Sequence, residues 1–188
     1  MNFRFARAED SAALLHIYGQ YIDTPITFEY VLPTEREFAE RIRSICAEYP
    51  YLVCEEDEKV IGYAYAHRYR ERAAYQWDAE LSVYLDAAHV SRGVGRRLYQ
   101  LLFAILRLQN IKKVYGCVTL PNPKSEALHT ALGFSLIGTY HRVGYKNGQW
   151  HDVCWFEKEI APHEKNPAPP IPIHALPAES LTQLLEKA

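Results

Sequence analysis

The sequence predicts one α/β domain built on a mixed, mostly antiparallel sheet flanked by helices. Three observations carry that expectation. Short apolar runs with period-two alternation recur between helical stretches in the order β-α-α-β-β-β-α-β-α-β-β, which mixes hairpins with crossovers. The dipeptide Asn147-Gly148 joins two such runs as a tight hairpin turn. The 188 residues, 48% of them hydrophobic, suffice for one substantial core and fall short of two.

Alternation from Asn2 to Arg7 reads as a strand, after which Asp10 or Ser11 caps a helix carrying Leu14, Leu15, Ile17 and Tyr18. The proline-bounded stretch TPITFEYVLP is a loop. Thr34 and Glu37 form a capping box, each side chain satisfying a free amide of the other, and the helix they start runs to about Tyr49. Strands follow over Tyr51 to Glu56 and Lys59 to Tyr69, joined by the charged turn Asp57-Glu58. After the polar loop RERAA comes a strand from Asp78 to Leu85, then a glycine-bearing turn and a helix with leucines on one face. A strand over Val114 to Thr119, a helix from about Asn122 to Leu132, and the hairpin of Ser135 to Lys146 with Gln149 to Ile160 complete the order. Residues 1–160 are expected to form the domain and 161–188 a tail. Its segment APHEKNPAPPIPIHALP is too rich in proline for helix or central strand and should run extended over the surface, with one or two helical turns over Glu179 to Lys187.

Composition narrows the functional classes. A formal net charge of −2, with acidic and basic residues interleaved, supplies no basic stripe for nucleic acid. No apolar stretch approaches the roughly twenty residues that span a bilayer, and MNFRFARAED lacks the apolar run of a secretory leader. The expectation is a soluble, cytoplasmic protein with no membrane partner. Cys46, Cys54, Cys117 and Cys154 form no C-x-x-C pair and read as buried reduced thiols, and no spacing of His, Cys and carboxylates suggests a metal.

The stretch LSVYLDAAHVSRGVGRRLYQLLFAILRL, Leu81 to Leu108, carries the first chemical signal. Gly93 and Gly95 fall where strand becomes helix. Helix amides at such a junction lack internal partners, the dipole favours an anion, and glycine lets a phosphate approach the backbone. No Gly-Lys-Ser/Thr follows, and Leu98 occupies the third glycine position of a dinucleotide fingerprint. What remains is a pyrophosphate cradle with Arg92, Arg96 and Arg97 nearby, or an ordinary turn.

Downstream, LPNPKSEALHTALGF gives a turn and a short helix ending at Gly133-Phe134. The series R-G-V-G-R after a strand, then N-P-K-S, then L-H-T-A-L-G-F, resembles the GCN5-related N-acetyltransferase (GNAT) family. Within it, ITFE, RERAAYQWDAELSVY, LPNPKSEALHTALGF and GYKNGQWHDVCWFEK are similar to their counterparts in the phosphinothricin and methionine sulfone or sulfoximine acetyltransferases, in consistent order from about Phe3 to Glu159. The resemblance implies the acyl-CoA N-acyltransferase fold and acetyl-CoA as donor. It further implies a cofactor site made by Val83, Tyr84, Leu85, Ser91, Arg92, Gly93, Val94, Gly95, Arg96, Asn122 and Ser125. Where the family's loop opens with Gln or Arg this chain has Val90, which leaves the phosphates to backbone amides, with Arg92 or Arg96 as side-chain help.

An ammonium cannot attack a thioester, so some group must take its proton. Glu80, on the strand before the cradle, is the candidate, matching the proposed base of the phosphinothricin group; otherwise it is an ordinary strand carboxylate. His129 stands four residues before Gly133, where most of the larger family has tyrosine. It would protonate the departing thiolate or assist Glu80, with a half-buried packing histidine as the alternative. His141 and His151 have weaker claims. Arg70 and Arg72 precede the Glu80 strand and suit a bidentate grip on an α-carboxylate or phosphinate. The alternative is two solvated loop arginines. Phe28, Tyr75 and Trp77 either wall the acceptor pocket or are core or dimer-contact aromatics. The resemblance also implies a homodimer with that pocket near the subunit interface. The expected reaction moves acetyl from acetyl-CoA to the α-amine of a small amino acid or analogue, such as phosphinothricin, methionine sulfone or methionine sulfoximine. Direct transfer in a ternary complex is expected because no cysteine accompanies Glu80 in the proposed site. Acetylation of polyamines or protein N-termini, and a regulatory module that binds acetyl-CoA without catalysis, are the alternatives.

Overall fold

The computed structural model describes residues 1–187. Seven strands, β1 (Asn2–Phe5), β2 (Tyr51–Glu56), β3 (Lys59–Arg68), β4 (Asp78–Leu85), β5 (Lys113–Thr119), β6 (Ser135–Lys146) and β7 (Gln149–Glu159), form one sheet in the order β1-β2-β3-β4-β5-β7-β6. Five helices surround it: α1 (Ser11–Gly19), α2 (Glu35–Cys46), α3 (Val94–Leu108), α4 (Pro123–Ala131) and α5 (Ala178–Glu186). Every strand pairing is antiparallel except that of β4 with β5. The expected mixed sheet and element order are both present.

Local chemistry explains the element ends. The Thr34–Glu37 capping box forms, with the Thr34 amide donating to Glu37 Oε2 at 2.7 Å and the Glu37 amide to Thr34 Oγ1 at 3.3 Å. α2 ends at Cys46, three residues before the expected Tyr49, because the Glu48 and Tyr49 amides turn back onto the Ile45 carbonyl ahead of Pro50. On one face of the sheet, Val94, Leu98, Leu102, Ile105 and Leu106 of α3 pack against Leu52, Ala64, Leu81 and Val114. On the other face, Leu14 and Ile17 of α1 and Phe38 and Ile42 of α2 cover Tyr51, Val53 and Tyr63. Each fully buried aliphatic contributes about 1.5–3 kcal/mol, which makes α3 the main clamp on the central strands.

The tail departs from the surface path expected of it. Ile173 and Leu176 enter the core cluster, and Leu181, Leu184 and Leu185 of α5 pack against it. The Ile171 amide donates to the Gln109 carbonyl at 3.0 Å, and Gln109 Nε2 donates to the Ile171 carbonyl at 2.8 Å. The prolines keep the chain extended, as expected, while the aliphatic side chains between them supply burial. The tail's last residue, Ala188, lies outside the described residues. Among those described, no helix is long and apolar enough to cross a membrane.

Candidate active site

β4 and β5 are paired only from Asp78↔Lys113 to Leu81↔Gly116. Beyond that point β4 stays with β3 as far as Leu85↔Gly62, and β5 stays with β7 as far as Thr119↔Val153. The two strands therefore separate, with Ser82 to Leu85 on one lip and Cys117 to Thr119 on the other. The separation opens a cleft of about 740 Å³ lined by Val83, Tyr84, Leu85, Ser91, Gly93, Gly95, Arg96, Asn122, Ser125 and His129. Its lips present backbone groups to a ligand that lies between them as an added strand would.

At the mouth, Gly93 caps α3 with a left-handed backbone (φ 82°), and Ser91 is also left-handed (φ 64°). A Cβ on Gly93 would meet nothing within 4 Å, so conformation and not space calls for glycine there. A Cβ on Gly95 would touch Leu128, Leu85 and Val83, narrowing the cleft floor. The first turn of α3 carries no acidic residue, so its free amides keep their attraction for an anion, with exposed Arg96 beside them. Two expected cofactor residues turn their side chains away from the cleft, which leaves them only their backbone amides to offer. Arg92 is held in a bidentate pair by Glu56 at 2.7 and 2.8 Å, and Val94 is buried in the core.

Glu80 sits at the closed end, just short of the split, opposite His67 on β3 and Tyr115 on β5. Strand alternation puts Glu80, His67, Tyr115 and Cys117 on one face of the sheet, and Leu81, Gly116 and Phe156 on the other. Burial raises the Glu80 carboxyl above its ordinary pKa, offset in part by His67, which makes it a stronger base near neutrality.

His129 approaches the seam from the opposite face, where α4 places it over Gly116. Its ring lies 4.9 Å from Phe134 and 5.0 Å from Phe156, centroid to centroid. Nδ1–H donates to the Ser125 carbonyl at 2.8 Å, so buried Nε2 is left as a lone pair without a partner. Burial lowers the His129 pKa, opposed by the Ser125 bond, and the resting ring is a neutral acceptor. Glycine at 116 leaves Nε2 uncovered, since any Cβ there would collide with it. Glu80 and His129 have no hydrogen bond between them, and their side chains reach the seam from opposite faces.

Cys117 corrects two expectations. It is exposed and lines the cleft on the face that carries Glu80, so not every cysteine is buried and one does stand near Glu80. Protein crowded behind the thiol, and the Glu80 charge, push its pKa up to about 12. It carries no thiolate at neutral pH and is a poor nucleophile. Cys54 and Cys154 are buried as expected, and Cys46 is half-buried.

The expected acceptor residues divide. The Arg70 guanidinium lies 5.0 Å from the Tyr69 ring centroid and 5.5 Å from that of Tyr75. Tyr69 in turn stacks on Tyr115 at 4.0 Å, which ties Arg70 and Tyr75 to the Glu80 face. Arg72 is exposed and has no ion pair among the described residues. Trp77 is not among the residues that line this cleft, and its indole N–H donates to the Ala168 carbonyl of the tail at 2.8 Å. Phe28 packs over Gly144 and beside His151, in a loop whose Thr27 carbonyl accepts from the buried Lys146 ammonium at 2.5 Å. The neighbours missed in the sequence are His67 and Cys117. Only the pairing register of β3, β4 and β5 identifies them.

The profile of the acetyltransferase (GNAT) domain matches residues 3–155. A phosphinothricin N-acetyltransferase of Streptomyces viridochromogenes is 36% identical over 174 residues, covering 92% of this chain and 93% of that protein. An L-methionine sulfoximine/L-methionine sulfone acetyltransferase of Salmonella typhimurium is 30% identical over 165 residues, or 87% of this chain and 96% of that one. The crystal structure of a GNAT superfamily phosphinothricin acetyltransferase from Sinorhizobium meliloti, in complex with AcCoA, superposes with a TM-score of 0.84 at 32% identity, over 88% of this chain and 92% of that one. A cleft with unpaired strand lips, ending at a helix N-terminus free of acidic side chains, fits acetyl-CoA. This chain belongs to the GNAT family and is an acetyl-CoA-dependent acetyltransferase.

Proposed function

We propose that the enzyme acetylates the α-amine of a small amino acid or analogue, with phosphinothricin, methionine sulfone and methionine sulfoximine as candidate acceptors, by direct attack in a ternary complex. The observation that carries this reading is the place of Glu80: a carboxylate of raised pKa where the β4–β5 seam splits, on a face that also holds Tyr69, Tyr115 and the ring-stacked Arg70. Acetyl-CoA supplies the acyl group from the cleft. The amides of Gly93 to Arg96 bind its diphosphate, and the lips of β4 and β5 direct its thioester toward the split. Glu80 takes the proton that the acceptor's ammonium must lose before attack. His129 Nε2 takes up the second proton, which the nitrogen loses after attack, and returns it to the departing sulfur, while Nδ1–H stays on the Ser125 carbonyl. The raised thiol of Cys117 supports the direct route over an acetyl-cysteine. Arg70 or Arg72 pairs with the acceptor's acidic group.

Two further readings belong here. The enzyme works in the cytoplasm, in keeping with four cysteines that are all unpaired. It works as a homodimer joined along the exposed apolar edge formed by β6 and the loop before α2.

Glu80→Gln tests the central assignment. Turnover of methionine sulfone, followed by thiol release, is expected to fall by about two to four orders of magnitude. Acetyl-CoA binding, followed by calorimetry, is expected to persist. Near-normal turnover across neutral pH would remove Glu80 from the mechanism.

A further inference from the structure

At neutral pH the reaction converts an ammonium and a thioester into an amide, a thiol and one proton. Of the two protons that nitrogen loses, one ends on sulfur and the other must reach solvent. Glu80 is poorly placed to discharge it alone, because its side chain is only 21% exposed and most of its neighbours hold their protons. From β3, Tyr65 is raised above its ordinary pKa by burial. From β5, Tyr115 and Cys117 are each pushed up to about 12, chiefly by burial. From α3, Tyr99 is raised by burial as well. None of these passes a proton near neutrality.

His67 differs from all of them. It is the residue directly opposite Glu80 in the β3–β4 ladder, with Nε2 4.0 Å from Glu80 Oε1, and its side chain is 37% exposed. The ring is therefore beside the carboxylate and also open to solvent. Nδ1–H donates to the Arg68 carbonyl at 3.0 Å, which leaves Nε2 as the lone pair facing Glu80. Imidazole is the side chain whose ordinary titration falls between pH 5 and 8.

We infer that His67 is the positioning residue for Glu80 and the exit for its proton, a role that rests on Glu80 being the base. After Glu80 has accepted a proton from the ammonium, its O–H donates to Nε2 of His67. The carboxylate is restored, and the imidazolium loses that proton to water. A separation of 4.0 Å exceeds the roughly 2.6–3.2 Å of a transfer-competent hydrogen bond, so a side-chain rotation makes the contact and its reversal frees Glu80 for the next amine. In acid, the protonated ring is a cation beside Glu80 and holds it ionised.

The test measures kcat against pH for the full-length enzyme, saturated with acetyl-CoA and methionine sulfone, beside His67→Gln, His67→Ala and Glu80→Gln of verified fold. His67→Gln is expected to lose about tenfold or more in kcat. Its acid limb should move to higher pH, because the cation that favours the carboxylate is gone. Imidazole added to His67→Ala should restore turnover in proportion to its free-base concentration. An unmoved acid limb together with no response to imidazole, while Glu80→Gln is inactive, overturns the role of His67 and leaves Glu80 discharging directly to water. Active Glu80→Gln overturns the base assignment itself, a separate result.

Discussion

Glu80 occupies a position that suits its chemistry and opposes the fold. Burial holds its folded-state pKa above the unfolded value, so its charge is harder to carry in the folded chain. Its stabilising contribution is complete below the unfolded pKa, where the carboxyl is protonated in both states, and is lost as pH rises through the folded pKa. Glu80→Gln is therefore expected to melt at a higher temperature than the wild type at pH 7, with the difference vanishing below about pH 4. Scanning calorimetry at the two pH values checks this, and equal melting at pH 7 would mean that the ionised carboxylate is well solvated. Loss of turnover joined to gain of stability is the pattern of a residue kept for function. The sequence points to the glycines through their place at a strand-to-helix junction, and to Glu80 and His129 through the family resemblance of the segments that hold them. It points to neither His67 nor Cys117 as a neighbour of Glu80. Their meaning comes from standing across a strand from Glu80, and register is a property of pairing that no single strand carries.

At the scale of elements, periodicity made the order of strands and helices readable, and Asn147-Gly148 marked the β6–β7 hairpin at its observed ends. The tail shows what periodicity omits. Proline rules out helix and ladder, yet it leaves open where the side chains between prolines go, and Ile173 and Leu176 go into the core. Trp77 makes the same point, its partner being the Ala168 carbonyl 91 residues downstream, which no local pattern shows. Ending the chain at Ile160 should uncover the apolar surface beneath Ile173, Leu176 and the leucines of α5, and two buried aliphatics alone are worth about 3 kcal/mol or more. The urea midpoint of the truncated chain should drop accordingly. The acceptor KM should rise as well, because Trp77 ends the loop that carries Arg70 and Arg72. An unchanged midpoint would make the tail a surface strap after all.

For the whole molecule, the sheet has two edges, and they are treated differently. β1 is a four-residue strand with α5 packed beside it, whereas β6 is twelve residues long and forms the other edge. Its exposed apolar side chains include Leu136, opposite Phe156, and Tyr140, opposite Val153, on different faces of the sheet, with Val143 between the paired stretches, each at least half exposed, and Trp150 on the neighbouring strand is 59% exposed. The loop before α2 adds Tyr30, bonded through its hydroxyl to the Tyr145 carbonyl, and Val31, which is 78% exposed. An apolar edge of this length invites pairing, and a soluble monomer seldom leaves so much apolar surface open. A second copy is the economical cover, because a two-fold contact buries the same patch on both chains. The same loop carries Phe28 and cleft-lining Ile26, so a partner seated there would also fix the acceptor side of the site. Sedimentation is expected to give twice the chain mass of 21.7 kDa for the wild type. Val31→Asp with Leu136→Asp, which puts a charge into each half of the patch without touching the core, should give the single-chain mass. The monomer should keep its affinity for acetyl-CoA, because the cradle at Gly93 lies on another part of the molecule, while its acceptor KM rises as the loop loosens. Wild-type enzyme sedimenting as a monomer at micromolar concentration would refute the dimer and leave the patch for some other partner.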